Sequence, residues 1–332
     1  MRTLNLALIF ILAACLCVKA QTTEDFTIKL TDSTVIKNSL YDHINVLDVR
    51  LNPTNYGTVQ VGAFNRRTKV MPVKPLETQF RDILASVIDS NAQKGELLLQ
   101  VRKFGFGELT SGFSENGYGY FRLGLYARNG DNYQKLKTID TVINVSSVDV
   151  THKLFRVTSE YLTHFITSNL TRHPSGSLYN YNDLVKIDSI EKQQIPLYTA
   201  EKYTDGIYVS YKSFFNQTPD KQGEVKVTTE TIKSVKIPDA KGKLNTVSAK
   251  ELYAVVFEGR LYIATNYGFY PLIKQNNDFK YTGRGRSTIG NSIATSAMFG
   301  LAGALISANP SGIYELKLDY VNGDFIRLRR LK

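Results

Sequence analysis

Few residues in this chain offer chemistry, and those that do are scattered. The four histidines are His43, His152, His164 and His173, and no two have the i,i+4 spacing that sets a zinc pair on one helix face. His152 and His164 share a predicted helix but lie about 120° apart around it, so they do not converge. The run Gly285-Arg-Ser-Thr-Ile-Gly290-Asn291-Ser292 approaches a phosphate-binding loop, yet Asn291 stands where that loop needs the lysine that reaches the β- and γ-phosphates. Gly290-Asn291-Ser292-Ile293-Ala294 echoes a nucleophile elbow without the strand-to-helix setting or a placed histidine-acid pair. Paired carboxylates remain open, because only folding brings them together. Tyr118, Tyr120, Tyr179, Tyr181, Tyr208, Tyr211, Tyr267 and Tyr270 would suit either a sugar- or partner-binding face or half-buried strand positions. The sequence therefore assigns no catalytic, cofactor-binding or metal-binding residue.

The elements that would position these residues begin after a leader. Residues 1–20 read as a secretory signal peptide: Arg2 is the basic start, Leu4 to Val18 the apolar stretch, and Val18-Lys19-Ala20 a small-residue cut before Gln21. Leu12-Ala13-Ala14-Cys15 offers a competing bacterial lipobox, which would make the protein a lipoprotein anchored at Cys15. Against it, the apolar run continues through Leu16, Cys17 and Val18. Both cysteines of the chain, Cys15 and Cys17, lie in this leader, so removal after Ala20 leaves no disulfide, thiolate metal site or cysteine nucleophile. A cysteine-free exported chain of this size suits a bacterial envelope, in the periplasm or at the outer membrane, because its core is large enough without cross-links.

The full chain has 332 residues, 42% hydrophobic and 21% charged, with 20 Tyr, 17 Phe and no Trp. These figures exclude disorder, collagen-like repeats and a multi-span membrane protein. The net charge of +11 is dispersed over lysines, with no basic stripe or nucleic-acid motif, so no nucleic-acid partner is expected.

From 22 to 175 the pattern is α+β. Strands are expected at 45–51, 58–64, 97–106, 119–126 and 133–145, the last two turned by Asn129-Gly130-Asp131. A helix opening at Pro75 carries Leu76, Phe80, Ile83, Leu84, Val87 and Ile88 on one face, and a second from Asp149 carries Val150, Leu154, Val157, Tyr161 and Phe165. The order predicts an antiparallel sheet with both helices on one face. His173-Pro174-Ser175-Gly176 is read as the boundary. From 180 to 332 a β-rich domain follows, as a meander or partly open barrel. It includes a strand at 224–234, a hairpin at 252–264 and a last hairpin turned by Val321-Asn322-Gly323-Asp324.

The stretches Leu97-Leu-Leu-Gln-Val-Arg-Lys-Phe-Gly-Phe106 and Gly119-Tyr-Phe-Arg-Leu-Gly-Leu-Tyr126, followed by the long helix at 149–170, resemble in order the auxiliary lipoproteins of envelope lipid transporters. The whole chain also resembles uncharacterised exported bacterial envelope proteins. The resemblance spans about 120 residues, rests on pattern, and carries over no site residue; it implies an envelope location and a role beside other envelope components.

One segment stands apart. Ser287 to Tyr314 contains no charged residue, and Ser296, Gly300 and Ala304 recur at the four-residue spacing that lets helices approach closely. Three readings of 287–308 follow: a helix packed in a groove of its own protein, a membrane-contacting or oligomerising helix, or a membrane span. Ile293, Ser296, Phe299, Gly300, Gly303 and Ala304 form the candidate contact helix. A protein partner or an envelope surface is the expected counterpart, with no cofactor. The leading expectation is a non-enzymatic envelope protein acting in binding or assembly; the alternative is a secreted hydrolase with carboxylates paired by the fold.

Overall fold

The computed structural model describes residues 23–30, 35–62, 66–111, 114–229, 231–284 and 312–331. The leader and the whole candidate contact helix, from Ile293 to Ala304, lie outside the described residues. Sheet occupies 47% and helix 20% of the described residues, so the class is mixed α+β.

The first sheet has eight strands: β1 (Thr23–Phe26), β2 (Tyr41–Asp48), β3 (Gly57–Val61), β4 (Arg66–Pro72), β5 (Gly95–Ser111), β6 (Ser114–Asn129), β7 (Asn132–Ser146) and β8 (Leu178–Tyr179). Their order is β1-β4-β3-β5-β6-β7-β8, with β2 also pairing with β5. The sheet differs from the antiparallel expectation. β5, β6 and β7 form a long antiparallel meander, but β2 and β3 both lie parallel to β5, and β1 lies parallel to β4. The cause is the connection: the stretch from β2 to β5 contains a helix, and a crossover of that kind permits parallel pairing. The chain is still adding to this sheet past residue 175, where β8 pairs with Tyr133 and Gln134 of β7.

Helix α1 (Leu76–Val87) buries Leu76, Phe80, Ile83, Leu84 and Val87. Ile88 has left the helix and bridges to Ile36 in extended conformation. Helix α2 (Val150–Thr167) is capped by Asp149, whose carboxylate accepts the His152 N–H. Its buried face includes Leu154, Thr158, Leu162 and Phe165; Val157 and Tyr161 are only half-buried, so the stripe is turned slightly from the predicted one. Both helices share one core with the inward residues of the sheet, among them Leu97, Leu99, Val101, Phe104, Phe106, Phe121, Leu123 and Leu125. Gly117 of β6 makes room for α2, since a Cβ there would stand 3.2 Å from both Val150 and Leu154.

Two short helices, α3 (Tyr181–Val185) and α4 (Ile187–Lys192), cover the opposite face of the sheet, where Leu184 and Ile187 meet Leu47, Leu98 and Tyr126. The rest of the chain is antiparallel in every described pairing. It comprises α5 (Pro196–Thr199), β9 (Gly206–Tyr208), α6 (Tyr211–Phe215), β10 (Glu224–Val227), β11 (Ile232–Pro238), β12 (Leu244–Val247), β13 (Ala254–Phe257), β14 (Arg260–Thr265), β15 (Gly268–Pro271), β16 (Ile273–Gln275), β17 (Asp278–Gly283), β18 (Tyr314–Leu318) and β19 (Phe325–Arg330). These make three small sheets, β10-β11-β12, β15-β14-β13-β9 and β16-β17-β18-β19. The single strand predicted at 224–234 is a hairpin, β10–β11, turned where Thr228 N–H donates to the Thr231 carbonyl.

Candidate functional site

A cleft of about 540 Å³ opens at the start of α2, lined by Glu24, Gln60, Glu115, Asp149, Thr151 and His152, with Val148 fully exposed at its rim. Behind it lies Glu108 of β5, almost fully buried. Glu108 accepts hydrogen bonds from the Gln60 N–H (2.7 Å) and the Thr151 hydroxyl (2.5 Å). Burial pushes its carboxyl above the ordinary value, only partly offset by those two donors. At the mouth, Asp149 both caps α2 and holds His152 Nδ1 at 2.8 Å. The polar groups of the cleft thus already serve α2: one caps it, and another ties its first turn to β5. Three carboxylates at the mouth favour a cationic guest, but no group of three metal-ligating side chains occurs among the described residues.

The histidines do not meet: His43 is exposed on β2, His152 stands at the α2 cap, and His164 and His173 are exposed further on. The eight tyrosines do not form a face either. Tyr120 and Tyr208 are buried, while Tyr181 and Tyr267 are exposed on different elements. Burial pushes the Tyr208 hydroxyl up to about 12.

The densest charge lies elsewhere, on the outer face of the β5–β7 meander. Along β5, Leu97, Leu99 and Val101 face the helices, and Leu98, Gln100 and Arg102 face outward. Pairing then slips from Val101↔Leu123 to Lys103↔Arg122. This bulge places Lys103 on the outer face directly after Arg102 and returns Phe104 and Phe106 to the core. Arg122, opposite Asp140 on β7, completes a group of three cations.

Acidic residues from the second half of the chain meet them. Arg102 pairs with Asp188 at 2.7 Å and Glu191 at 2.9 Å, and donates to the Tyr320 hydroxyl. Arg122 pairs with Asp140 at 2.8 Å and Asp319 at 2.9 Å. Lys192 of α4 pairs with Asp278 at 2.6 Å. Burial alone would raise the Asp319 carboxyl, but the Arg122 guanidinium and the Lys103 ammonium hold it below the ordinary range. Burial lowers the Lys103 ammonium, against the pull of Asp319. The β18–β19 turn is fastened on its other side as well, since Tyr211 donates to the Tyr320 carbonyl (2.5 Å) and Tyr253 to the Gly323 carbonyl (2.6 Å).

The sequence shows its charge only as dispersed over lysines, and this junction is not visible in it. The available signal was Arg102-Lys103, two adjacent cations inside an otherwise apolar alternating strand. Of the candidate contact segment the structure describes only the root. Gly283, the last residue of β17, pairs with Tyr314, the first of β18, so the described strands that flank the segment meet at one end of one sheet. That end of β17–β18 is remote from Asp278 and Asp319.

No protein-family description matches the chain, and neither does any curated protein. Among solved structures the chain is similar to the crystal structure of protein XCC0632 from Xanthomonas campestris, of the family DUF330. The likeness has 10% identity and a TM-score of 0.28, and covers 51% of this chain and 99% of that one. An overlap so loose leaves fold and role to be argued from this chain's own residues.

Proposed function

We propose that this protein is an exported, non-enzymatic envelope component that holds residues 287–308 against a membrane or a partner, acting in binding or assembly. The observation carrying the reading is the pairing Gly283↔Tyr314, at the end of a sheet whose other end is fastened by buried charge. A chain leaving at Gly283 must return to the same edge at Tyr314. One membrane crossing would put β18 and β19 on the wrong side of the bilayer from β17. Two crossings would need about 40 apolar residues, and the stretch between these strands has about 30. Contact with one leaflet, or with a protein surface, meets both constraints. The signal-peptide pattern of residues 1–20, and the pattern resemblance to auxiliary lipoproteins of envelope lipid transporters, support an envelope location.

The test replaces 287–308 with a Gly/Ser linker and compares flotation with vesicles before and after an alkaline wash. The reading expects the natural chain to float and resist the wash, and the linker variant to stay behind. If neither form floats and both are monomeric, the contact role fails. A second reading, a hydrolase, draws on the cleft carboxylates Glu24, Glu115 and Asp149. Turnover of a glycoside that is abolished by Glu115→Gln would favour it.

A further inference from the structure

The root of the segment is basic, and its charge is arranged differently from that of the junction. The last two rows of the β17–β18–β19 ladder are Gly283↔Tyr314↔Arg330 and Thr282↔Glu315↔Arg329. Arg284 follows Gly283 and lies 5.1 Å over the ring of Tyr267, itself 40% exposed. Arg327 lies 4.5 Å over the ring of Tyr314. Arg284, Arg329 and Arg330 are exposed. Glu315 is the one carboxylate in these rows, and it is shared by Lys280 at 3.3 Å and Arg329 at 3.7 Å. Four arginines and a half-exposed tyrosine thus lie within the last three rows of the ladder or directly beside them, on both faces of the sheet end from which an uncharged chain leaves.

We infer that Arg284, Arg327, Arg329 and Arg330 form a collar that binds the headgroups of an anionic phospholipid bilayer. The inference rests on the membrane-contact reading above and names the surface it meets. Guanidinium forks match phosphate oxygens, tyrosine favours the headgroup level, and arginines beside an apolar element attract anionic lipid within a Debye length. The collar lies where the segment emerges, so headgroup binding and apolar contact act on the same leaflet.

The test measures partition of the full chain onto vesicles of phosphatidylglycerol with phosphatidylcholine, and onto pure phosphatidylcholine, at low and high salt. The natural protein should prefer the anionic vesicles, and salt should erase the preference. Each arginine removed should lower anionic partition about fivefold, so Arg329→Gln with Arg330→Gln should lower it about 25-fold while leaving partition onto pure phosphatidylcholine unchanged. Lys241→Gln with Lys243→Gln, an equal charge change in the exposed β11–β12 turn, should have no effect; an equal loss there would overturn the collar. Equal partition of the natural protein onto both lipids would overturn it too, and would leave the segment reading standing. Conversely, a linker variant lacking 287–308 that keeps a preference removable by the arginine substitutions would uphold the collar where the segment reading has failed.

Discussion

The two ends of the β16–β19 sheet carry charge in opposite ways. At one end Asp278 and Asp319 are drawn into contact with Lys192 and Arg122, and the Arg122–Asp319 pair is almost wholly buried, with side chains 6% and 5% exposed. At the other end Arg329 and Glu315 sit 3.7 Å apart, with the arginine 69% exposed. The distinction is energetic as well as geometric. Breaking a buried pair strands a charge away from water, whereas an exposed pair exchanges its partner for solvent at little cost. One sheet therefore has an end whose ion pairs are buried and an end whose ion pairs lie in contact with water.

The comparison is broken most severely at Asp319. Asp319→Ala leaves Arg122 with Asp140 as its counterion and takes from buried Lys103 the carboxylate that attracts it, and should lower unfolding stability by about 3 kcal/mol in urea titrations. A double change, Arg122→Met with Asp319→Leu, in a background carrying Lys103→Met and Asp140→Asn, should cost less than Asp319→Ala in the same background; equal losses would show that the pair is no clamp. Gly323→Ala comes next. Gly323 has φ +79°, and a Cβ there would stand 2.2 Å from Cγ of Tyr211, so a loss of about 2–3 kcal/mol is expected from strain and overpacking. At the free end, Arg329→Gln should change stability by less than about 0.5 kcal/mol, read as an unchanged urea midpoint.

Acid separates two buried carboxylates in the same way. Asp319 has a lowered folded value, so its contribution is present above the unfolded value near 3.8 and is lost as pH falls through the folded one. Glu108, facing donors but no cation, has a raised folded value. Its contribution is full below the unfolded value near 4.5 and is lost as pH rises through the folded one. Glu108→Gln keeps an acceptor for Gln60 and a partner for Thr151, so it should be at least as stable as the natural protein at neutral pH. Unfolding followed from acid to neutral pH checks both signs.

Much of the architecture was legible because it depends on local pattern. The long meander followed from alternation in 97–106, 119–126 and 133–145, α1 from Pro75 and its apolar spacing, and the β18–β19 hairpin from Asn322-Gly323. The parallel pairing of β2 and β3 on β5 was not legible, because strand partners depend on the path of the crossover. The junction was hidden for a related reason: one slipped residue at Arg102 reverses which face Lys103 occupies, and its acidic partners come from positions 188, 191 and 319. The cleft was equally hidden, since Glu24, Glu115 and Asp149 are distant in sequence.

The central claim is that the Gly283/Tyr314 end meets the membrane and the Asp319 end does not. In the chain from Gln21 onward, which has no cysteine of its own, Thr282→Cys and Val321→Cys each place one exposed label, at the Gly283/Tyr314 end and at the junction turn respectively. With an environment-sensitive fluorophore at either position, added anionic vesicles should blue-shift the label at 282 and leave the label at 321 unchanged. A shift confined to 321, or none at either position while the protein is bound, would contradict the account.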